Sequence, residues 1–238
     1  MKSLYIVMPA YNEEANIETT VTEWYPIAEK VNTIMNCKLV IANDGSKDNT
    51  YSKLRDLRHQ YPLLEPLNKS NSGHGATLLY LYRYAIEHGA DYIFQTDSDG
   101  QTNPDEFWQF FNHREKYDFQ IGNRNHRKDG ISRVFVTKIL RLIVWLMFHE
   151  WVTDANTPYR LMTVNRLKPM LDIIPENYFL CNVAISAIAV KWHERCMWYP
   201  ITFRPRQGGK NSINMRRIFK IGLKAFSDFW LINNKLNK

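Results

Sequence analysis

One rhythm constrains this chain more than any other feature. In the first hundred residues, four short apolar stretches each break off into a polar cluster. Residues 4–8, 38–42, 63–67 and 92–95 read as buried strands, and Pro9 is expected to stop the first of them. Between them, residues 13–34, 47–61 and 73–88 carry helical spacing, with Asn12 as a cap for the first and Pro104 opening a further helix. Strands alternating with helices predict an α/β fold built on a mostly parallel sheet with helices on its faces. In such sheets ligands bind outside the carboxyl ends of the strands. The polar clusters at residues 10–14, 43–48, 71–75 and 97–101 should therefore converge on one edge.

Length and composition narrow the class. At 238 residues, 45% hydrophobic and 23% charged, the chain can bury a real core and is not a disordered segment. Cys37, Cys181 and Cys196 lie far apart, without metal or disulfide spacing, which fits thiols in a reducing cytosol. The amino-terminal apolar stretch is too short for a signal peptide. The uncharged run 142–148 falls well short of the roughly 20 residues a membrane span needs. His149-Glu150 lacks the second histidine of a zinc protease, because Thr153 stands there.

The net charge of +7 is unevenly spread. Residues 200–238 hold nine basic groups and one acid, and residues 124–141 hold six and one, so the remainder carries −6. Both basic segments have amphipathic helical character. In residues 131–152 Arg133, Lys138 and Arg141 accompany a dense apolar set. In residues 213–238 Arg216, Arg217, Lys220 and Lys224 lie opposite Ile218, Phe226, Phe229 and Trp230. Such helices can rest in an anionic membrane interface or pack on the domain. We expect a catalytic domain over residues 1–212 and a basic interfacial helix over residues 213–238. A nucleic-acid-binding module rests on charge alone, with no recognition motif, and no nucleic-acid partner is expected.

Asp97-Ser98-Asp99 is the sharpest local feature. Two carboxylates flanking one residue, just past a buried strand, suit a hard cation such as Mg²⁺ or Mn²⁺ that also bridges substrate phosphates, and Gln101 could add an oxygen. The bland alternative is a polar turn capping the next helix. Asp44 ends a strand likewise, as a base or ribose contact or as a turn former. Gly73 and Gly75 open a helix whose free amides suit an anion, without the lysine of a P-loop.

Taken in order, Val7-Met8-Pro9-Ala10-Tyr11-Asn12-Glu13-Glu14, Asn43-Asp44-Gly45-Ser46-Lys47-Asp48-Asn49-Thr50, Asn71-x-Gly73-x-Gly75-Ala76 and Asp97-x-Asp99 resemble glycosyltransferase family 2. Within it the chain is similar to the dolichyl-phosphate mannose synthase-like branch, the polyprenyl-phosphate glycosyltransferases. Weaker matches follow at Ile121-Gly122-Asn123-Arg124, at Arg133 and Thr137, from Asp154 through Met162, and from Arg206 through Ser212. Asn123, residues 156–159 and Asn211-Ser212 depart from the branch's pattern, all on the acceptor side.

The resemblance implies a GT-A fold, a nucleotide-sugar donor and a divalent metal, Mg²⁺ or Mn²⁺. Carried onto this chain, Pro9, Ala10, Tyr11, Glu13, Asp44, Gly73, Gly75, Asp97 and Ser98 would surround the donor. Asp97, Asp99 and Gln101 would hold the metal, and Arg124, Arg133 and Arg206 the acceptor phosphate. The expected reaction is inverting transfer, a UDP-sugar preferred, to polyprenyl phosphate by a cytoplasmic enzyme at the inner face of the membrane. A small membrane-anchoring partner or self-association is left open. A phosphate monoester has a second pKa of about 6, so it needs placement more than a general base. Asp154 and Glu176 would be the bases for a hydroxyl acceptor. The rival enzyme is a sugar nucleotidyltransferase, whose first strand usually ends in a glycine- and arginine-rich loop that this chain lacks.

Overall fold

The computed structural model describes residues 1–124, 145–146, 152–204, 229–230 and 232–233. The elements run β1 (Ser3–Ala10), α1 (Ile17–Asn32), β2 (Asn36–Asp44), α2 (Thr50–Arg58), β3 (Leu64–Lys69), α3 (His74–Glu87) and β4 (Tyr92–Gln95). A 3₁₀ turn at Pro104–Glu106 leads into α4 (Phe107–Asn112) and β5 (Phe119–Arg124). After the gap come β6 (Arg160–Thr163), α5 (Val164–Ile173), α6 (Cys181–Lys191) and β7 (Cys196–Ile201).

The seven strands form one sheet in the order β3-β2-β1-β4-β6-β5-β7. β6 is antiparallel to both its neighbours, and every other pairing is parallel. The expected mostly parallel α/β sheet is thus present. From β1 the chain builds outward to β2 and β3, then returns to lay β4 on the other side of β1. The crevice where strand order reverses, at the carboxyl ends of β1 and β4, is where open α/β sheets bind ligands.

Period-two alternation sorts β1 between two cores. Leu4, Ile6 and Met8 pack with α1 and α2, while Tyr5 and Val7 pack with α3, α5 and α6. Phe94 meets Phe107, Phe110 and Tyr159 edge to face beneath β4 and β6, with Trp24 tilted against Phe94, so much of the aromatic supply serves the core. Phe229 and Ile232, read from the sequence as tail surface or its continuation, are buried in the α3–α6 core, with Phe229 against Tyr178. Trp230 between them is 56% exposed.

Three local expectations are corrected. β1 runs through Pro9 to Ala10. The carbonyl of Val7 faces β4, accepting from the Thr96 amide, so the missing N–H of Pro9 points the same way, beyond the last β4 residue. The strand therefore loses no ladder bond. Asn12 does not cap α1, which starts at Ile17; it sits at φ 54 and ties two loops together. Its amide donates to Ser46 Oγ and its Oδ1 accepts from the Lys47 amide. α2 is likewise shorter than its spacing predicted, because Asp48 takes up the Thr50 amide just before the helix.

Candidate active site at the β1–β4 crevice

The crevice is an open cleft of about 410 Å³ lined by residues from three of the four polar clusters and by Asp44 from the second. Pro9, Ala10, Tyr11 and Glu13 come from the end of β1, and Asp97, Ser98 and Asp99 from the end of β4. Gly73, with Asn71, His74 and Thr77, comes from the entry to α3. The clusters converge as the alternation of strands and helices requires. Tyr11, 44% exposed, offers an aromatic face at the rim.

Asp44 is saturated from within the protein. Its Oδ1 accepts from Lys69 Nζ at 2.6 Å and the Ser72 amide at 2.9 Å, and its Oδ2 from the Gly73 amide at 2.9 Å. Burial disfavours the Asp44 carboxylate, but these bonds, the nearby Thr77 hydroxyl and the charge of Lys69 together hold its pKa below the ordinary aspartate value. Gly73 reaches this bond at φ 88, ψ 159, backbone open essentially to glycine alone. The amides at the mouth of α3 thus bind an internal anion first.

Asp97 is treated differently. Its Oδ1 is buried and accepts no hydrogen bond. The ring Nε2 of His74 lies 3.9 Å from it. Ser98 between the two aspartates is a fastener: its hydroxyl donates to the Pro9 carbonyl at 2.8 Å, and its own carbonyl accepts from Thr20 Oγ1 at 2.9 Å. Asp99 Oδ1 accepts from the Gln101 amide at 3.2 Å. Among the described residues no three histidine, cysteine or acidic side chains form a metal cluster. One or two carboxylates completed by substrate phosphates is the ordinary arrangement for Mg²⁺, and an orphaned carboxylate oxygen beside Asp99 fits it.

Two residues expected at the site are engaged elsewhere, and a third is held by a carboxylate. Gly75 does not line the cleft; a Cβ there would stand 2.3 Å from the Tyr178 carbonyl oxygen, so its bareness lets the 178–179 backbone close on α3. The Gln101 side chain donates to the Arg204 carbonyl at 2.9 Å, and the Arg204 amide returns a bond to the Gln101 carbonyl at 2.7 Å. This strap holds the exit of β7 beside the Asp97–Asp99 turn. Arg124, at the end of β5, is clamped by Asp154: Nε to Oδ2 and Nη2 to Oδ1, both 2.9 Å, with both side chains over nine-tenths buried. The guanidinium also lies over the Phe203 ring. Glu176 is exposed in a separate groove outside α3. Arg133, Thr137, Arg206, Gly208 to Ser212 and most of both amphipathic segments lie outside the described residues.

Sequence reading did not single out Lys69, His74 or Thr77. Lys69 was findable, since it is a lone cation ending the third strand and stands opposite Asp44 in the parallel register. His74 lies inside the Gly73-x-Gly75 motif, and Thr77 one turn further along the same helix face.

Comparisons agree with this geometry. A family model described as glycosyl transferase family 2 matches residues 5–183. The chain is 26% identical to a UDP-N-acetylglucosamine–dolichyl-phosphate N-acetylglucosaminyltransferase of Methanococcus voltae, over 77% of this chain and 79% of that one. It is 31% identical to a dolichyl-phosphate beta-glucosyltransferase of Trichomonas vaginalis, over 89% of this chain and 68% of the relative. It is 22% identical to an undecaprenyl-phosphate mannosyltransferase of Micrococcus luteus, over 87% and 86%. Among solved structures, glucosyl-3-phosphoglycerate synthase from Mycobacterium tuberculosis, in complex with Mn²⁺, UDP-glucose and phosphoglyceric acid, superposes with a TM-score of 0.70 at 15% identity. That match covers 98% of this chain and 80% of the other, and shows a shared fold.

Proposed function

This chain belongs to glycosyl transferase family 2, and on that premise we propose that it moves a sugar from a UDP-sugar to a polyprenyl phosphate, inverting the anomeric carbon. It is a glycosyltransferase with the GT-A fold. The observation that carries the finer reading is the orphaned Asp97 oxygen, beside Asp99, at the floor of a polar cleft at the strand-order reversal. The relatives named for dolichyl- and undecaprenyl-phosphate acceptors, and the UDP-bound neighbour, supply the substrate classes.

In this reading Asp97 and Asp99 hold Mg²⁺ or Mn²⁺ together with the donor diphosphate; Gln101 straps that turn in place. When bound, the ion supplies charge neutralisation for the departing nucleoside diphosphate. The protein's own residues do the rest. Tyr11, with Pro9 and Ala10, lines the nucleotide's place. Asp44 has both oxygens already engaged with the α3 entry, so it shapes the nucleotide pocket as well as lining it. Glu13 lines the cleft from a buried position, and the Gly73 amide is pinned by Asp44.

On the acceptor side, Arg124 offers a guanidinium whose orientation is fixed by Asp154, and Arg133 and Arg206 complete the phosphate cradle in the family pattern. Arginine suits this task because its planar fork binds phosphate bidentately. An acceptor phosphate is already an oxyanion at neutral pH and needs no base. Asp154, spent on Arg124, is poorly placed to serve as one for a hydroxyl acceptor.

Residues 213–238 act as a basic interfacial element whose end is anchored in the core by Phe229 and Ile232. The exposed Trp145, Leu146 and Trp230 support peripheral attachment to the cytoplasmic face of a membrane. No helix among the described residues is long and apolar enough to cross one.

The test is a panel of radiolabelled UDP-glucose, UDP-N-acetylglucosamine and GDP-mannose with undecaprenyl or dolichyl phosphate and Mn²⁺, followed by organic extraction. Label in the organic phase from a UDP-sugar is expected. Absence of glycolipid from every donor would overturn the reading.

A further inference from the structure

Arg160 is the one arginine among the described residues with no solvent exposure at all. It opens β6 in the middle of the sheet, opposite Gln95 of β4 and Ile121 of β5. Arginine is almost never so buried unless a carboxylate pairs it. Here every N–H goes to a neutral oxygen. Nε and Nη2 reach the Thr157 carbonyl at 3.2 and 2.9 Å, and Nη2 also reaches the Ala155 carbonyl at 3.2 Å. Nη1 takes the Asn182 carbonyl at 3.1 Å and the Ser186 hydroxyl at 3.3 Å. Five donors and five bonds leave none over.

Those bonds share one purpose. Three grip the loop that joins Asp154 to β6, and two tie it to α6. Ser186 adds to the grip, its hydroxyl proton shared between the Asn182 carbonyl at 2.8 Å and the Ala155 carbonyl at 3.1 Å, and Asn182 Nδ2 donates to the Thr157 carbonyl at 3.4 Å. Asp154, the residue before Ala155, receives the Arg124 fork and also the Arg124 backbone amide at 3.3 Å. At the other end of the loop, the Tyr159 carbonyl accepts from the Gly122 amide of β5 at 2.7 Å. A buried cation thus fixes a loop, the loop fixes a carboxylate, and the carboxylate fixes Arg124.

We propose that Arg160 is a positioning residue for the acceptor: through the 155–157 carbonyls and Asp154 it sets the orientation of the Arg124 guanidinium. The proposal rests on the reading that Arg124 engages an acceptor phosphate. Only arginine can serve, because lysine presents three donors from a single point and cannot span Ala155, Thr157, Asn182 and Ser186 together. The donor residues at the β1–β4 crevice make none of these bonds; β4 meets the network through its pairing with β6 and through the Tyr82 hydroxyl, shared between Gln95 Oε1 and Asn182 Oδ1, so the larger effect falls on the acceptor side.

Arg160→Lys, checked by thermal melting, tests it through three readouts. Steady-state kinetics should show a loss of about tenfold in kcat/KM for polyprenyl phosphate, the scale expected when a reacting group is displaced. UDP affinity in Mn²⁺, measured by calorimetry, should stay within about twofold, since the donor residues keep their contacts. In a cycle with Arg124→Ala, the Arg160→Lys penalty should vanish, which a merely structural defect would not do. A fourth readout needs no activity. The Arg124 Nε–H resonance, assigned by its disappearance in Arg124→Ala, should lose its ion-paired shift and exchange protection in Arg160→Lys.

Wild-type acceptor kinetics in the folded variant, equal losses for donor and acceptor, or penalties that add with Arg124→Ala each overturn the proposal. If Arg160→Lys does not fold, Ser186→Ala removes one of the five bonds and the Ser186–Ala155 link. It should raise the acceptor KM about threefold with UDP affinity unchanged, and unchanged acceptor kinetics would refute the idea. If wild-type protein makes no glycolipid, the proposed function fails. The resonance still decides whether Arg160 orients Arg124, and an unperturbed signal in the variant refutes it.

Discussion

The two strands that flank β1 both run out into an aspartate, and the fold treats the two carboxylates in opposite ways. Asp44, at the end of β2, is paired with Lys69 and accepts two backbone amides from the approach to α3. Asp97, two residues past β4, keeps an oxygen that nothing satisfies, although it is buried. A polar atom left in that state costs free energy unless something else completes it. The first carboxylate builds the wall of the cleft, and in the proposed function the second is kept for what enters it. Lys69, at the end of β3, stands opposite Asp44 in the parallel register, so the neighbouring strand brings the first aspartate its cation.

The sharpest way to break this contrast is to remove each carboxylate in turn. The Asp97→Asn/Asp99→Asn variant should lose about 10²–10³-fold in kcat, the scale of deleting a main electrostatic stabiliser, with its urea midpoint nearly unchanged. A large drop in that midpoint would show that the pair is structural after all. Asp44→Asn should cost about 3 kcal/mol of stability by urea denaturation, because Lys69 is left as an uncompensated, largely buried cation.

The same aspartate carries a pH signature. Its folded pKa is depressed, so its contribution is present above the unfolded value of about 3.9 and is lost as pH falls through the folded value. Wild type should therefore lose stability relative to Asp44→Asn only on the acid side of about pH 4. A constant gap between the two curves down to full protonation would contradict the assignment.

Smaller effects sharpen the picture of the wall. Gly75→Ala should destabilise by about 2 kcal/mol, because its Cβ meets two backbone carbonyls that cannot step aside. It should also weaken UDP binding by moving the entry of α3, which calorimetry would register. Ser98→Ala should cost about 1 kcal/mol through the lost bond to the Pro9 carbonyl, with donor affinity little changed. A large loss of UDP affinity there would mean that Ser98 touches the ligand and is no mere fastener.

The half of the molecule that forms the β1–β4 cleft was legible because its information is local. Apolar stretches of four or five residues, each followed by a polar cluster, are enough to predict parallel strands and a shared edge. The sheet bore that out for all four stretches. What stayed hidden was non-local. Nothing in the sequence says that the Pro9 N–H side would face past the end of β4, or that Asn12 would tie two loops where a helix cap was expected. The strand β6 is antiparallel and comes more than 60 residues after β4, its partner in the sheet, so its place between β4 and β5 has no local signal. The buried role of Arg160 was invisible for the same reason, since its partners come from residues 155 to 186. Phe229 and Trp230 are adjacent in sequence, yet one is in the core and the other exposed, a distinction only packing could draw.

The most direct measurement is calorimetric titration of UDP with and without Mn²⁺ into wild type, Asp97→Asn/Asp99→Asn and Asp44→Asn. Mn²⁺ should strengthen UDP binding in wild type and in Asp44→Asn, although the latter starts from a weaker affinity, and should have no effect in the double variant. Full Mn²⁺ enhancement in Asp97→Asn/Asp99→Asn would contradict the account, because the orphaned carboxylate would then not be the one kept for the ligand.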